Sequence, residues 1–406
     1  MRGWRSGERD ADRALGRRAM TDTFVAGTGI AVFDRSPSTR SADQVEHAVR
    51  AALEDAAVGL DQIDAVYVGN AASGLLTGQE MIRGQVLLRQ FDLSGVPIVN
   101  CENACASGST ALHLADTALR AGRAGTVLVV GAEKMASEDK QRPMIALAAA
   151  VDQERLEEES PEVRGSGSLF MDIYAQLARD YMSDHEARPE DFAALVVKNR
   201  RHASHNPVAQ FTAPITVEEV LEARLINDPL TLPMCSPIGN GAAALVLTIE
   251  PTREATAVRL LASSLVSGRG RHSEPAVAHA ARLAFDQSGV SPGDVNLAEV
   301  HDATAPAELI ALEELGLLAS GEGVFAVRKG RLSVGGDLPT NPSGGLVCKG
   351  HPVGATGVAQ VVEVADQLRG RAGGRQVEGA RIGITENAGG WLGGDVAAAT
   401  VHILGR

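Results

Sequence analysis

Aromatic side chains are scarce, at 3% of the 406 residues. So few rings argue against a surface that stacks nucleic-acid bases. Positive charge is also in deficit. A net charge of -13 excludes a general polyanion-binding face and leaves room only for a local basic pocket, such as one for a phosphorylated cofactor. There are just four cysteines, Cys101, Cys105, Cys235 and Cys348, with no Cys-x-x-Cys pair and no interleaved histidines, so no metal site is expected. An uninterrupted apolar run of about 18 residues is missing, as is a signal peptide, and the expectation is a cytoplasmic chain with reduced thiols and no membrane association. Residues 1–19 are Arg-rich but carry Glu8, Asp10 and Asp12, which fits poorly with a transit peptide; residues 1–20 read as a disordered extension.

What remains is ample material for a core. Hydrophobic residues make up 44% and glycines number 44, which points to small residues packed tightly. The length exceeds the size at which a single core stops growing, so two domains or one duplicated domain are expected.

The pattern alternates from Phe24 onward. Phe24–Val32 reads as a strand, Ser41–Ala57 as a helix, Ile63–Val68 as a strand and Gly78–Arg89 as helical. Val96–Val99 reads as a short strand feeding a helix that starts near Ala106, and Thr126–Met135 as a buried strand. This is α/β alternation. Between Lys140 and Pro229 the chain becomes charged and interrupted, with an acidic run at Asp152–Glu159, a helical pattern over Phe170–Met182 and a basic loop at Lys198–Pro207. That segment reads as an insertion before the strand pattern resumes at Gly241–Ile249.

The second half then repeats the first. His47–Asn70 aligns without a gap on His279–Asp302, in helix, turn and strand register. Cys105, Gly108, Leu119 and Arg120 fall over Gly354, Gly357, Leu368 and Arg369. A duplicated α/β unit follows, with a pseudo-twofold axis that brings two helix starts together at the centre. The boundaries are 21–139 with 230–250 for the first half, 140–229 for the insertion and 251–406 for the second half.

Three turns converge on that centre. Cys105 lies at a strand-to-helix junction, where free amides and the helix dipole favour thiolate. A buried cysteine used as apolar filler is the alternative. His301 follows a strand and stands at its carboxyl end; His351 sits in a loop opening a helix. Each histidine alone reads equally as a hydrogen-bonded structural residue, but a thiol with two imidazoles can carry acyl transfer.

The segments NACASGSTAL, HDATAPAELIALEELGL, NPSGGLVCKGHPVGATGVAQ and ITENAGGWLGG resemble the thiolase superfamily, in the branch of sterol-carrier-protein-type thiolases and acetyl-CoA acetyltransferase-like relatives. The resemblance covers nearly the whole chain. It implies a thiolase-like duplicated five-layer αβαβα fold with a cap-like insertion, assembled as a homodimer or dimer of dimers. It implies an acyltransferase in which Cys105 takes the acyl group of a 3-ketoacyl-CoA as a thioester, or joins two acyl-CoAs by Claisen condensation. His351 would activate Cys105 and, with His301, form an oxyanion hole; the Cys105 amide and backbone near Ala388 and Gly389 would form a second. Glu386 stands where relatives carry a Cys or His acid/base, either as a proton carrier or simply ionised. Thr304 stands where this branch has Phe. Lys198, Arg200 and Arg201 are the basic residues left for the coenzyme A phosphate. No cofactor is held permanently; coenzyme A and acyl-CoA are substrates. The alternatives are a ketosynthase-like condensing enzyme, and a partner-dependent or non-catalytic subunit working with a small zinc-ribbon/OB-fold protein.

Overall fold

The computed structural model describes residues 22–155, 168–270 and 273–406. The 1–20 extension and the end of the acidic run lie outside them. The first half carries β1 (Thr23–Ile30), α1 (Ser41–Ala56), β2 (Ala65–Gly69), α2 (Ser73–Thr77), α3 (Arg83–Leu87), β3 (Ile98–Cys101), α4 (Ser107–Arg120) and β4 (Thr126–Glu133). After it come α5 (Gln141–Ala148), α6 (Leu169–His185), α7 (Pro189–Ala203), α8 (Val217–Glu222) and the hairpin β5 (Leu225–Asn227) with β6 (Leu230–Thr231). The sheet resumes with β7 (Gly241–Thr248), then β8 (Val258–Ser267), α9 (Ala276–Ser288), β9 (Leu297–Glu299), α10 (Ala305–Glu314), α11 (Glu322–Arg328), α12 (Gly345–Lys349), α13 (Thr356–Leu368), β10 (Ile382–Leu392) and β11 (Asp395–Gly405).

Strand order is β3-β2-β4-β7-β1-β8-β11-β10-β9. The two halves join at a short antiparallel seam of Thr23, Phe24 and Val25 against Leu260, Arg259 and Val258. Either side of it the pairing is the same. β4 runs parallel to β2 and antiparallel to β7, as β10 runs parallel to β9 and antiparallel to β11. The duplication read from the sequence is thus a duplication of hydrogen-bond topology.

Side-chain alternation builds the layers. On β4, Leu128, Val130 and Ala132 face α1 through Val45, Ala48 and Val49, while Val127 and Val129 face α4 and α13 through Leu112, Leu119, Val358 and Val361. On the far side, α9 packs Ala280, Ala281 and Ala284 against Val401 and Ile403 of β11. Five layers result, with α4 and α13 sandwiched in the middle. These strands are buried on both faces, which is why they read as continuous apolar runs.

The central helices touch backbone to backbone at their starts. A Cβ on Gly108 would lie 2.6 Å from the Gly354 carbonyl, and one on Gly357 2.8 Å from the Ser109 amide. Two sequence expectations are corrected. The basic stretch from Lys198 is no loop, because Lys198–Ala203 form the last turns of α7. Gly78–Arg89 is not one helix: Gly78 in the left-handed region ends α2, and α3 begins only at Arg83.

Because Gly108 has no space beside it, Gly108→Ala is expected to lower the unfolding free energy by about 1–3 kcal/mol, measured by urea denaturation. Parental stability would mean that the two helices can separate freely.

Candidate active site

Cys105 precedes α4 on a turn whose Ala104 is left-handed, at φ 48. Ser107 fixes that turn, its hydroxyl accepting from the Asn103 amide at 2.9 Å and donating to the Ala104 carbonyl at 2.6 Å. His351 comes from the loop between α12 and α13, and its Nε2 lies 3.3 Å from Cys105 Sγ. Its Nδ1 lies 2.7 Å from Thr356 Oγ1, whose own proton goes to the Pro352 carbonyl at 3.1 Å. That hydroxyl must therefore accept from His351 Nδ1–H, leaving a lone pair on Nε2 facing the thiol.

His301 has the opposite tautomer. Its Nδ1 accepts the Ala388 amide at 3.2 Å, so the proton is on Nε2, which is buried with no partner among the described residues, and the ring belongs to the cavity wall. The two rings are 5.0 Å apart. One nitrogen of each and the sulfur all lie within 4.8 Å of one another, a spacing that would suit a metal ion. The protonated Nε2 of His301 offers no lone pair, however, so the set fits a base, a thiol and a hydrogen-bond donor better than a ligand cage.

Burial decides the charges. It pushes the Cys105 thiol up to about 12, with Glu133 and Glu102 adding to the rise. The helix-start expectation of a resting thiolate is therefore corrected: desolvation and two carboxylates outweigh the free amides. Burial likewise drives His301 down to about 4 and His351 well below its usual range, the latter helped by His301. The resting triad is neutral.

Glu386 is 1% exposed and does not line the cavity. Its Oε2 accepts the His301 amide at 2.8 Å. The contact of its carboxylate is thus with the backbone of the His301 turn. Burial raises its carboxyl to about 7. The Ala388 amide, expected in an oxyanion hole, is spent on His301. Gly389 packs against the Cys105 amide, where a Cβ would lie 3.0 Å away.

The basic trio separates. Lys198 is buried on Glu308 and the Thr340 carbonyl, so it is unavailable to a phosphate. Arg201 is exposed. Arg200 does line the cavity; its guanidinium and that of Arg35 both lie over the Phe211 ring, at 5.0 and 4.7 Å from its centroid. Cys101 and Cys348 are buried packing residues, whereas Cys235 lines the cavity. Sequence reading passed over Arg35, Tyr174, Trp391 and Thr356. Only Thr356, five residues after His351, carried a local signal.

Two loops hold the triad in place. Glu133 accepts the amides of Ala71, Ala72, Ser73 and Gly354 at 2.7–3.1 Å, tying the His351 loop to the end of β2. Asp302 accepts the Leu346 amide at 2.7 Å and Asn199 Nδ2 at 3.1 Å, tying the His301 turn to α12 and α7.

Residues 28–250 match the family described as "Thiolase, N-terminal domain", and residues 262–406 the one described as "Thiolase C-terminal domain-like". Over 397 residues, 95% of this chain and all of the relative, the sequence is 40% identical to acetyl-CoA acetyltransferase of Methanothermobacter thermautotrophicus. It is 34% identical to sterol carrier protein 2 of Gallus gallus across 98% of this chain and 74% of that protein. Among solved structures, the Ltp2-ChsH2(DUF35) aldolase has the same fold, with a TM-score of 0.79 over 95% of this chain and 98% of that one, at 24% identity.

Two outcomes follow from the charges. Alkylation of Cys105 by iodoacetamide is expected to accelerate steadily between about pH 6 and pH 10; a plateau beginning below neutrality would mean a resting ion pair instead. Glu386 has a folded pKa above its usual 4.5, so it favours the fold fully below that value, and its contribution is lost as pH rises through about 7. Glu386→Gln keeps an oxygen for the His301 amide and is expected to exceed the parent by about 3 kcal/mol at pH 8, with the gap closing near pH 4, in urea unfolding.

Proposed function

The chain belongs to the thiolase family, and from that membership we propose that it is an acyl-CoA C-acyltransferase working through a thioester on Cys105. The observation that carries this reading is the 3.3 Å approach of His351 Nε2 to Cys105 Sγ, with Thr356 holding the other ring nitrogen.

In the first half-reaction the thiol proton passes to His351 Nε2 as Sγ attacks the substrate carbonyl. His301 Nε2–H donates to the resulting oxyanion. With an acyl-CoA donor the bond to the coenzyme A sulfur breaks, and the departing thiolate takes the proton from His351. With a 3-ketoacyl-CoA the bond between the α-carbon and the attacked carbonyl breaks instead, and the carbanion takes that proton. Reversal of this second route is the Claisen condensation.

His351 supplies the one imidazole lone pair that faces the sulfur, so it serves in both proton transfers. Glu386 is a positioning residue in this scheme, holding His301 through its backbone amide. A neutral donor at His301 suits the task, since it stabilises an oxyanion without the cost of a buried resting charge. A Cys-His-His set of this kind also serves the ketosynthase-like reading, in which a carrier protein replaces coenzyme A.

Among the described residues, Arg35, Lys140, Arg200 and Arg224 line the cavity against one carboxylate, Glu102. In a chain of net charge -13 this local excess supports a phosphorylated substrate. Arg200 stands where it could take the role expected of it, whereas Lys198 is held by Glu308. The aldolase named with a DUF35 component supports a second reading, in which a small partner protein helps to present the coenzyme.

Incubation of the protein with acyl-CoA is expected to add one acyl mass to the intact chain and none to Cys105→Ala. Failure with acetyl-CoA and larger acyl-CoAs alike, with or without a candidate partner, would leave a thiolase-like scaffold rather than an enzyme.

A further inference from the structure

Strand β9 is short, ending at Glu299, and His301 lies just beyond that end. The backbone that presents its ring is nevertheless held as if the strand continued. Along one edge β9 runs parallel to residues 339–341: the Ala298 amide donates to the Pro339 carbonyl at 3.0 Å, and the Asn341 amide donates to the Ala298 carbonyl at 2.8 Å. The next bond of a parallel ladder would run from the Val300 amide to the Asn341 carbonyl. Here the chain turns away first. Asn341 is in the left-handed region, at φ 52, and its carbonyl accepts instead from the Gly344 amide at 2.9 Å and from His202 Nδ1 at 3.0 Å. The Asn341 side chain takes the place of that carbonyl, its Oδ1 accepting the Val300 amide at 2.9 Å.

The other edge repeats the device. β9 pairs with β10 as far as Glu299 and Thr385, and the His301 amide then donates to Glu386 Oε2 at 2.8 Å, while the Glu386 carbonyl accepts Gln360 Nε2 at 2.9 Å. Two consecutive amides, those of Val300 and His301, are thus received by side-chain oxygens. Asn341 is fully buried, and its amide group has one possible orientation: Nδ2 must face the Glu308 carboxylate, to which it donates at 3.1 Å, and Oδ1 must face the Val300 amide. His202 is fixed in turn. Its Nε2 accepts the Val334 amide at 3.1 Å, so its proton is on Nδ1 and is donated to the Asn341 carbonyl. Asparagine suits this position because it enters the left-handed region more readily than most residues that carry a side chain.

Building on the thioester reading above, we propose that Asn341 is a positioning residue for the oxyanion step: by accepting the Val300 amide it sets where the chain leaves β9, and with it where His301 Nε2–H meets the substrate oxygen. It touches no reacting atom itself. The His301 ring is tethered through Nδ1 to the Ala388 amide on β10, but the backbone from which the ring projects is held by Asn341 on one amide and Glu386 on the next. Without the Asn341 oxygen, the Val300 amide loses its acceptor and the His301 backbone keeps only the Glu386 contact of this pair. A displacement of about 1 Å at a positioned group costs about a hundredfold in rate, so a small shift of this turn is enough to matter.

Asn341→Gly tests this on the full chain, because glycine removes the acceptor yet adopts the same left-handed backbone without strain. The probe is whichever of acetyl-CoA, butyryl-CoA and octanoyl-CoA labels the parent fastest, followed by intact mass as a rate constant, so that unfolded molecules lower the final extent and not the rate. Acylation of Asn341→Gly is expected to be at least about tenfold slower than that of the parent. Alkylation of Cys105 by iodoacetamide builds no oxyanion, and its rate is expected to stay within about twofold; general loosening of the site would change both rates and overturn the inference. In a His301→Ala background the same substitution is expected to change acylation less than about twofold, as for two residues acting through one group. An unchanged acylation rate in Asn341→Gly overturns the inference, as does a full tenfold loss on top of His301→Ala. Asn341→Asp keeps an oxygen for the Val300 amide and loses the donor to Glu308, so its acylation rate is expected nearer the parent than the glycine variant; a rate as low as that of glycine assigns the loss to Glu308 and overturns the inference. A parent labelled by none of the three donors overturns the thioester reading, and this inference with it.

Discussion

The contact on which the rest depends is the meeting of α4 and α13 at their starts, where the backbones of Gly108 and Gly354 approach too closely for any Cβ. Each helix follows the turn that carries its half's reactive residue. Cys105 precedes α4 by two positions and His351 precedes α13 by five. Side chains of ordinary size at this seam would push the helices apart and carry the sulfur away from the imidazole. Small residues after Cys105 are therefore a requirement of the chemistry and of the packing at once. A strand-order pattern repeated on either side of β1 and β8 supplies the rigid frames that press the two helices together.

That frame was legible because it is written in local periodicity. Apolar runs bounded by glycine mark strands buried on both faces, and the gapless match of His47–Asn70 to His279–Asp302 marks two copies of one unit. What could not be read locally depends on neighbours far away in the chain. Lys198 is a cation in a basic stretch by sequence, yet its partner Glu308 is 110 residues away. Glu386 occupies the position of an acid/base in a recognised motif, but its orientation follows from His301, 85 residues earlier.

Protonation was the least legible property, and the reason is physical. A helix start offers the sulfur a fraction of a charge, worth about 0.3–1 kcal/mol at an exposed position and about 2 kcal/mol in favourable partly buried ones. Removing a thiolate from water costs more than that. Position in sequence reports the dipole; only the folded surroundings report the desolvation. The same cost explains why both imidazoles are neutral and why their tautomers are fixed by hydrogen bonds, from His351 to Thr356 and from Ala388 to His301, rather than by charge.

A neutral triad has a consequence for how work is divided in the site. In the proposed reaction, with no resting ion pair, charge appears only while the thioester carbonyl is being attacked, and it appears where His301 Nε2–H and the protonated His351 can meet it. Groups that are already oriented need no rearrangement at that moment, which is the condition under which hydrogen-bond donors stabilise a transition state more than a ground state. Glu133 and Asp302 serve that condition from beneath: Glu133 accepts the Gly354 amide of the loop bearing His351, and Asp302, next to His301 in the chain, accepts the Leu346 amide of α12, so each fixes the backbone from which a ring projects. The carboxyl groups of Glu133 and Asp302 hold backbone, and in the proposed scheme the residues that face the reacting carbonyl stay uncharged until the reaction calls for charge.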